Sequence, residues 1–179
     1  MFVDTLYNAQ EKPLRFLRYF IVSQYDAFGL REDEIYGWLL DRQNKRKVKY
    51  EENPLYFVRV LQDYADAYIQ YVRGNCADYS RNEHLSNINA LTGVSRQHTI
   101  VLLAARHFSE DMFNELVEQL EQLLFMYILS RETSNESERK FSRWASKLRG
   151  VQTSDELNEF IRQNIVPEKK RLRERCVLA

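Results

Sequence analysis

The sequence predicts an all-α protein, and three features of the chain support this prediction. Residues that interrupt helices are scarce, with five glycines and three prolines in 179 residues. Apolar side chains recur at three- and four-residue steps through several segments, which is the spacing of one buried helical face. No stretch alternates apolar and polar residues as a half-buried strand does. We therefore expect residues 1–179 to form a single compact domain of about eight or nine helices.

Composition and charge narrow the class of protein. The 26 lysines and arginines are balanced by 26 acidic residues. Nucleic-acid-binding modules rely on an excess of cations, so this balance argues against an autonomous one and leaves only a local basic patch. Two distant cysteines without CxxC spacing indicate a reducing compartment. The N-terminal segment lacks the pattern of a secretory signal, so we expect a cytoplasmic protein with no membrane partner.

The longest predicted helix spans residues 109–131. Ser109 is suited to be its N-cap, and Glu110 and Asp111 follow in the first turn, where the helix dipole favours negative charge. Between residues 123 and 129 the apolar side chains cover the whole circumference of the helix. We therefore expect other helices to cover this segment on several sides, and the fold to pack around helix 109–131 as its long central helix. The apolar stretch is too short for a membrane span, which needs about 20 apolar residues.

Further helices are predicted before this central one. The first covers residues 13–25 and the second residues 31–44, followed by a basic loop. We interpret that loop as solvated rather than phosphate-binding; it contains Lys45, Arg46, Lys47 and Lys49. Asn53 and Pro54 then begin a helix that runs to Gly74. Its aromatic stripe could stack bases, but its helical spacing favours core packing; the stripe contains Phe57, Leu61, Tyr64, Tyr68 and Tyr71.

Two helices with capping-box spacing follow the central one. Thr133 and Glu136 begin the first, and Thr153 and Glu156 begin the second. The inward side chains of these helices are predicted to be Phe141, Trp144, Ala145 and Leu148 in the first, and Leu157, Phe160, Ile161 and Ile165 in the second. Pro167 begins a charged segment, residues 168–176, that we expect to face solvent or a missing partner.

The sequence shows no catalytic, cofactor-binding or metal-binding set of residues. The glycines are isolated, so no glycine-rich phosphate loop is present. His98 and His107 are nine residues apart and would lie on opposite faces of one helix, and His84 with Cys76 lacks further ligands. Ser95 near His98 is better explained as a helix cap than as a nucleophile, since no oxyanion donor is evident. We expect no cofactor and no enzymatic activity from this chain alone.

One surface feature is more specific. Four cations flank the apolar face of the helix that Thr133 begins; this basic stripe contains Arg139, Lys140, Arg143 and Lys147. The simplest interpretation is a solvated face, and the alternative is docking against DNA or an acidic domain. We expect all four side chains to be exposed. The overall charge balance favours an acidic neighbouring domain over DNA as the partner.

Five stretches resemble, in order and spacing, the helical region of the GmrSD-type modification-dependent restriction endonuclease family. They are PLRFLRYFIVSQYD (13–26), REDEIYGWL (31–39), ENPLYFVRVLQ (52–62), RQHTIVLLAAR (96–106) and ESERKFSRWASKLR (136–149). Full members of that family carry an N-terminal ParB-like domain with a DGQQR motif and a C-terminal HNH nuclease domain. Neither motif occurs here, so no family catalytic residue can be assigned to this sequence.

The resemblance implies a middle segment of a longer bacterial phage-defence protein, a nucleotide-dependent DNA endonuclease. The expected function is a non-catalytic helical connector that joins and spaces two active domains. Its expected partners are the flanking nuclease domains of the same polypeptide, with DNA contact only in the full-length protein. Two alternatives remain open: a stand-alone helical module that binds a protein partner, and a small hydrolase with an unrecognised site.

Overall fold

The chain folds into helices, as its sequence predicts. The computed structural model describes residues 2–91, 96–131 and 133–177, and it is 76% helical with no β-strand in these ranges. The α-helices are α1 (Phe2–Asn8), α2 (Pro13–Gln24), α3 (Ile35–Leu40), α4 (Arg42–Val48), α5 (Pro54–Val72), α6 (Glu83–Ala90), α7 (Thr99–Ala104), α8 (Glu110–Leu129), α9 (Ser134–Leu148), α10 (Ser154–Phe160) and α11 (Val166–Val177). A π-helical turn, Ile161–Ile165, makes α10 and α11 one continuous helix. The eleven α-helical segments of the described residues therefore form ten helices. The all-α prediction is confirmed.

Several helix starts lie where the capping residues predict. The Asn53 side chain accepts a hydrogen bond from the Tyr56 amide at 3.1 Å, at the start of α5. Ser109 and Thr133 cap α8 and α9 in the same way. Thr153 forms both bonds of a capping box with Glu156 at the start of α10. These side chains satisfy amides that have no partner within the helix, which fixes where each helix begins.

The short helix α7 is buried on every side, whereas the long helix α8 is buried on one face. All six residues of α7 are at most 3% exposed, and the helix contacts α2, α5 and α9. Helix α8 packs mainly on α6 and α11, and its last turns are not covered on all sides. Phe125 is 51% exposed and Leu129 is 59% exposed. The expectation that residues 123–129 are covered on several sides is therefore wrong, because α8 buries one face. Helix α7 can be buried all round because it carries no charged side chain that must reach water.

Aromatic rings connect α5 to its neighbours. Tyr68 is fully buried, and its ring lies 5.5 Å from Phe16 on α2. The Tyr71 ring stacks on Phe113 of α8 at 5.3 Å. The following turn requires Gly74, which has φ of +87° and approaches Ser86 so closely that a Cβ would lie 2.9 Å from the Ser86 Cα. The second half of the predicted aromatic stripe is therefore core, as expected.

The predicted helix 31–44 and the basic loop after it are different in the structure. Asp41 has an extended backbone that separates α3 from α4, and its carboxylate accepts hydrogen bonds from the Gln43 and Asn44 amides. Lys45, Arg46 and Lys47 then form the last turn of α4 instead of a loop. Cations are favourable there because the helix dipole places negative charge at that end.

The C-terminal segment also differs from its prediction. Pro167 lies inside a continuous helix, where the missing amide would leave a carbonyl of the preceding turn without its usual partner. The π-helical turn precedes it, with the Val166 amide donating to the Ile161 carbonyl, and such insertions accommodate a break in the regular ladder. The expectation that residues 168–176 face solvent is wrong for Glu168, Lys169 and Leu172, which are buried. No helix within the described ranges has both the length and the apolar character that a bilayer span needs.

Candidate functional site

A cleft of about 770 Å³ lies between the α4–α5 connection, the N-terminal half of α5 and the ends of α2 and α7. This volume is within the range typical of small-molecule sites. The side chains that line it are Phe20, Gln24, Tyr25, Lys47, Val48, Lys49, Glu52, Asn53, Tyr56, Phe57, Arg59, Val60, Asp63, Tyr64 and Arg106. Aromatic rings and cations dominate this set, and we call it the aromatic–basic cleft.

Helix α5 supplies one wall through a face that includes Tyr64 of its aromatic stripe. Tyr56, Arg59, Val60, Asp63 and Tyr64 follow one another at three- and four-residue steps, so they share one side of the helix. In the next two turns of α5, the inward face is fully buried. The same helix therefore contributes to the core with its C-terminal half and to the cleft with its N-terminal half.

The opposite wall comes from the end of α4 and the turn that follows it. Lys49 adopts a left-handed conformation, φ 57° and ψ 26°, and its amide donates to the Lys45 carbonyl to close the helix. The turn is pinned by the Lys45–Glu51 ion pair at 2.7 Å and by the Tyr50 hydroxyl, which donates to the Leu39 carbonyl at 3.0 Å. Lysine is a costly choice in a left-handed position that glycine adopts without strain.

The inner end of the cleft is held by a short polar network. The Tyr64 hydroxyl donates to the side-chain oxygen of Gln24 at 3.1 Å, and the side-chain nitrogen of Gln24 donates to the Leu103 carbonyl at 3.2 Å. The Arg106 guanidinium lies over the Tyr64 ring, 4.8 Å from its centroid. Burial raises the pKa of Tyr64 and outweighs the opposing effect of Arg106. Tyr64 therefore remains a protonated hydrogen-bond donor, and Arg106 is held in place by a cation–π contact.

The cleft carries a net positive charge. Lys47, Lys49, Arg59 and Arg106 face two carboxylates, Glu52 and Asp63, which gives a formal charge of +2. None of these four cations forms an ion pair with another residue of the described ranges. Apolar side chains form the floor, since Phe20 and Val48 are at most 8% exposed, whereas Tyr56 at the rim is 65% exposed. An apolar aromatic floor with cations at the rim fits a ligand that carries both a flat ring and negative charge.

The basic stripe of α9 has a different environment. Arg139 and Arg143 are exposed, and so is Lys147, whose ammonium donates to the Asn164 side chain at 2.6 Å. Lys140 forms an ion pair with Glu168 at 2.5 Å, and only 27% of its side chain is exposed. The expectation of exposure is therefore correct for three members of the stripe and wrong for Lys140, because the C-terminal helix packs beside it.

The other sequence candidates are not brought together. His84 Nδ1 lies 2.6 Å from the Glu121 carboxylate, and His107 Nε2 lies 2.8 Å from the Val151 carbonyl, while His98 is buried. Within the described ranges, no group of three or more histidine, cysteine, aspartate and glutamate side chains is placed to hold a metal ion. Ser95 lies outside the described residues, so its pairing with His98 stays untested.

The sequence patterns indicate parts of the cleft but not the cleft itself. Lys47 and Lys49 were predicted to lie in a solvated basic loop, and Phe57 and Tyr64 to belong to an aromatic stripe that packs in the core. Arg106 is 42 residues from Tyr64 in the chain, so only the tertiary fold brings them into contact. The one available sequence signal was the three- and four-residue spacing of polar and aromatic side chains on α5.

Comparisons with known proteins give no match. No protein-family model, no curated protein and no solved structure is similar to this chain at a significant level.

Proposed function

We propose that this chain is a non-catalytic helical connector domain of a DNA-targeting, modification-dependent restriction endonuclease. The five stretches that resemble that family fold into α2, α3, α5, α7 and α9 with their preceding turns. Helices α2, α5, α7 and α9 pack on one another as the core of the domain. The resemblance therefore covers the packed body rather than scattered surface segments, as expected for a domain whose function is mechanical.

The observation that carries this proposal is how firmly the last helix is fastened to the body. Glu168 pairs with Lys140 of α9 at 2.5 Å. The buried Lys169 ammonium donates to the side chains of Gln119 and Gln122 on α8, at 2.7 and 2.8 Å. Leu172, one turn further along α11, is fully buried. A domain that follows this helix would be coupled to α8 and α9 through packed side chains instead of a flexible linker.

The exposed part of the basic stripe is the proposed docking surface for a flanking domain. Arg139 and Arg143 are one helical turn apart and exposed, and neither forms an ion pair within the described part of the chain. An acidic face on a neighbouring domain would be complementary to them. This role assigns the flanking nuclease domains of the same polypeptide as partners, and it needs no cofactor in this chain.

The first test is to read the gene sequence on both sides of the part that encodes this chain. We expect the open reading frame to encode a DGQQR motif upstream of this chain and an HNH motif downstream. A frame that stops at both ends of the chain would contradict the connector function and favour a stand-alone interaction module.

The second test uses the complete protein with Arg139→Glu/Arg143→Glu. We expect DNA cleavage to fall while the salt dependence of DNA binding is unchanged, because the lost contact is between domains. A shallower salt slope, by about one unit for each lost phosphate contact, would instead assign the surface to DNA. Unchanged cleavage with unchanged binding would show that Arg139 and Arg143 are only solvated.

A further inference from the structure

We propose that the aromatic–basic cleft binds a nucleotide that carries two or more phosphate groups. This inference concerns the described chain by itself and does not depend on the connector function. It is based on the lining of the cleft, where a flat apolar surface and a group of cations meet in one concavity.

The ring of the ligand would lie against the aromatic side. Tyr56 is 65% exposed at the rim, and Phe57 and Tyr25 are half-buried beside it. An exposed tyrosine whose ring faces a concavity is a natural platform for a base, because every base has a flat π-surface that can stack. Arg106 already covers the Tyr64 ring, so Tyr56 is the ring available for stacking.

The phosphates would lie against the cationic side. Lys47 and Lys49 approach from the end of α4, and Arg59 approaches from α5. Elsewhere, cations close to carboxylates form ion pairs, such as Lys45 with Glu51 and Arg149 with Asp26. Cations that converge on a cleft without such partners in the described chain are suited to charge-assisted bonds with phosphate oxygens.

The carboxylates of the cleft favour a single nucleotide over a strand. Glu52 and Asp63 lie among the cations, where they would repel a continuous run of backbone phosphates. A carboxylate in a nucleotide site instead accepts hydrogen bonds from ribose hydroxyls or base amino groups. A volume of about 770 Å³ also suits one nucleotide.

The left-handed conformation of Lys49 gives an independent test of function. Glycine would relieve the strain at φ 57°, so a lysine there costs stability and contributes a charge at the cleft. Lys49→Gly should therefore raise the unfolding temperature and weaken nucleotide binding. A loss of binding in a more stable protein cannot be attributed to misfolding.

The direct test is isothermal titration calorimetry of the full chain with ATP, adenosine and tripolyphosphate. ATP should bind, and each of the two partial ligands should bind at least tenfold more weakly, because each fills one side of the cleft. Lys47→Gln/Arg59→Gln should lower ATP affinity at least tenfold. Tyr56→Ala should lower ATP affinity at least fivefold and leave tripolyphosphate binding unchanged.

Two matched controls separate the cleft from general charge. Arg46 is adjacent to Lys47 but does not line the cleft, so Arg46→Gln should leave ATP affinity within twofold. Arg139→Gln/Arg143→Gln removes the same charge as the cleft double variant and should also have no effect.

Three outcomes would overturn the proposal. They are no binding of ATP or GTP at millimolar concentration, tripolyphosphate binding as strong as that of ATP, and binding of a ten-residue deoxythymidine strand that ATP does not displace.

Discussion

The two basic regions of this protein differ in how their charges are used. The basic stripe of α9 lies on one helix, and half of it contacts the C-terminal segment: Lys140 pairs with Glu168 of α11, and Lys147 bonds to Asn164 of the π-helical turn before it. The aromatic–basic cleft draws its cations from three separate segments and leaves them without ion-pair partners in the described ranges. Cations that are clustered in sequence on α9 thus partly stabilise the fold through contacts within the protein. Cations from separate segments that converge on the cleft are available to bind a ligand.

The largest effect on the free energy of unfolding should come from the Lys140–Glu168 ion pair, which holds α11 against α9. Glu168→Ala removes the carboxylate that accepts hydrogen bonds from Lys140 and Arg171. We expect the free energy of unfolding to fall by about 2 kcal/mol, because hydrogen bonds to buried charged groups contribute more than neutral ones. Urea unfolding followed by circular dichroism measures this change.

The matched control for that change is Glu159→Ala. Glu159 also pairs with an arginine, Arg162, but on the exposed surface of the same helix. Its loss should cost no more than about 0.5 kcal/mol. Equal effects of the two variants would contradict the structural role assigned to Lys140 and Glu168.

The same pair should make stability depend on pH. Burial would raise the pKa of Glu168, but hydrogen bonds from Arg171 and Lys140 outweigh burial and hold it below the ordinary value of 4.5. A carboxyl with a lowered folded-state pKa stabilises fully above its unfolded pKa and loses that effect as pH falls through the folded value. The stability difference between wild type and Glu168→Gln should therefore narrow as pH falls below 4.5. A constant difference down to about pH 3 would show that Glu168 is not held ionised by its partners.

Replacing Lys49 in the cleft should have a smaller effect on the free energy of unfolding, and this effect should be stabilising. Lys49→Gly relieves a left-handed lysine, which is worth about 1–2 kcal/mol, and adds unfolded-state entropy that offsets part of the gain. We expect a net stabilisation of about 0.5 kcal/mol in thermal unfolding. Lys49→Ala, which keeps the strain and loses the charge, should not stabilise. A destabilised Lys49→Gly protein would mean that the lysine side chain has a structural role.

The smallest effect should be at the exposed half of the stripe. Arg139→Glu/Arg143→Glu should change the free energy of unfolding by less than about 0.5 kcal/mol, because both side chains are exposed and distant from the core. A larger loss in urea unfolding would show that these arginines, like Lys140, hold the fold together.

Sequence patterns predicted the local features of this fold and missed the long-range ones. The caps at Asn53, Ser109 and Thr153 depend on residues three positions apart, so the sequence shows them directly. The complete burial of α7 depends on which helices meet. The exposure of Phe125 and Leu129 on α8 depends on the same helix–helix contacts, so the apolar pattern alone predicted coverage that is not there. Burial of Glu168 and Lys169 was missed for the same reason, since their partners lie 28 and 50 residues away.

In the candidate site, too, the sequence predicted local features and missed contacts between distant residues. Periodicity on α5 revealed both the stripe with Phe57 and Tyr64 and the polar face with Asp63, but no local rule indicates that Arg106 covers Tyr64. Lys49 in a left-handed conformation was also hidden, because the pattern there lacks the glycine that usually marks such a position.

The different roles of the cleft and of the basic stripe are tested most directly by locating bound nucleotide on the protein. The measurement is a titration of ¹⁵N-labelled protein with ATP, followed by amide chemical shifts. We predict saturable shifts at Lys47, Lys49, Arg59 and Arg106 and none at Arg139 or Arg143. Shifts that are largest along α9, or absent from the cleft at millimolar ATP, would contradict the assignment of the cleft as the ligand-binding surface.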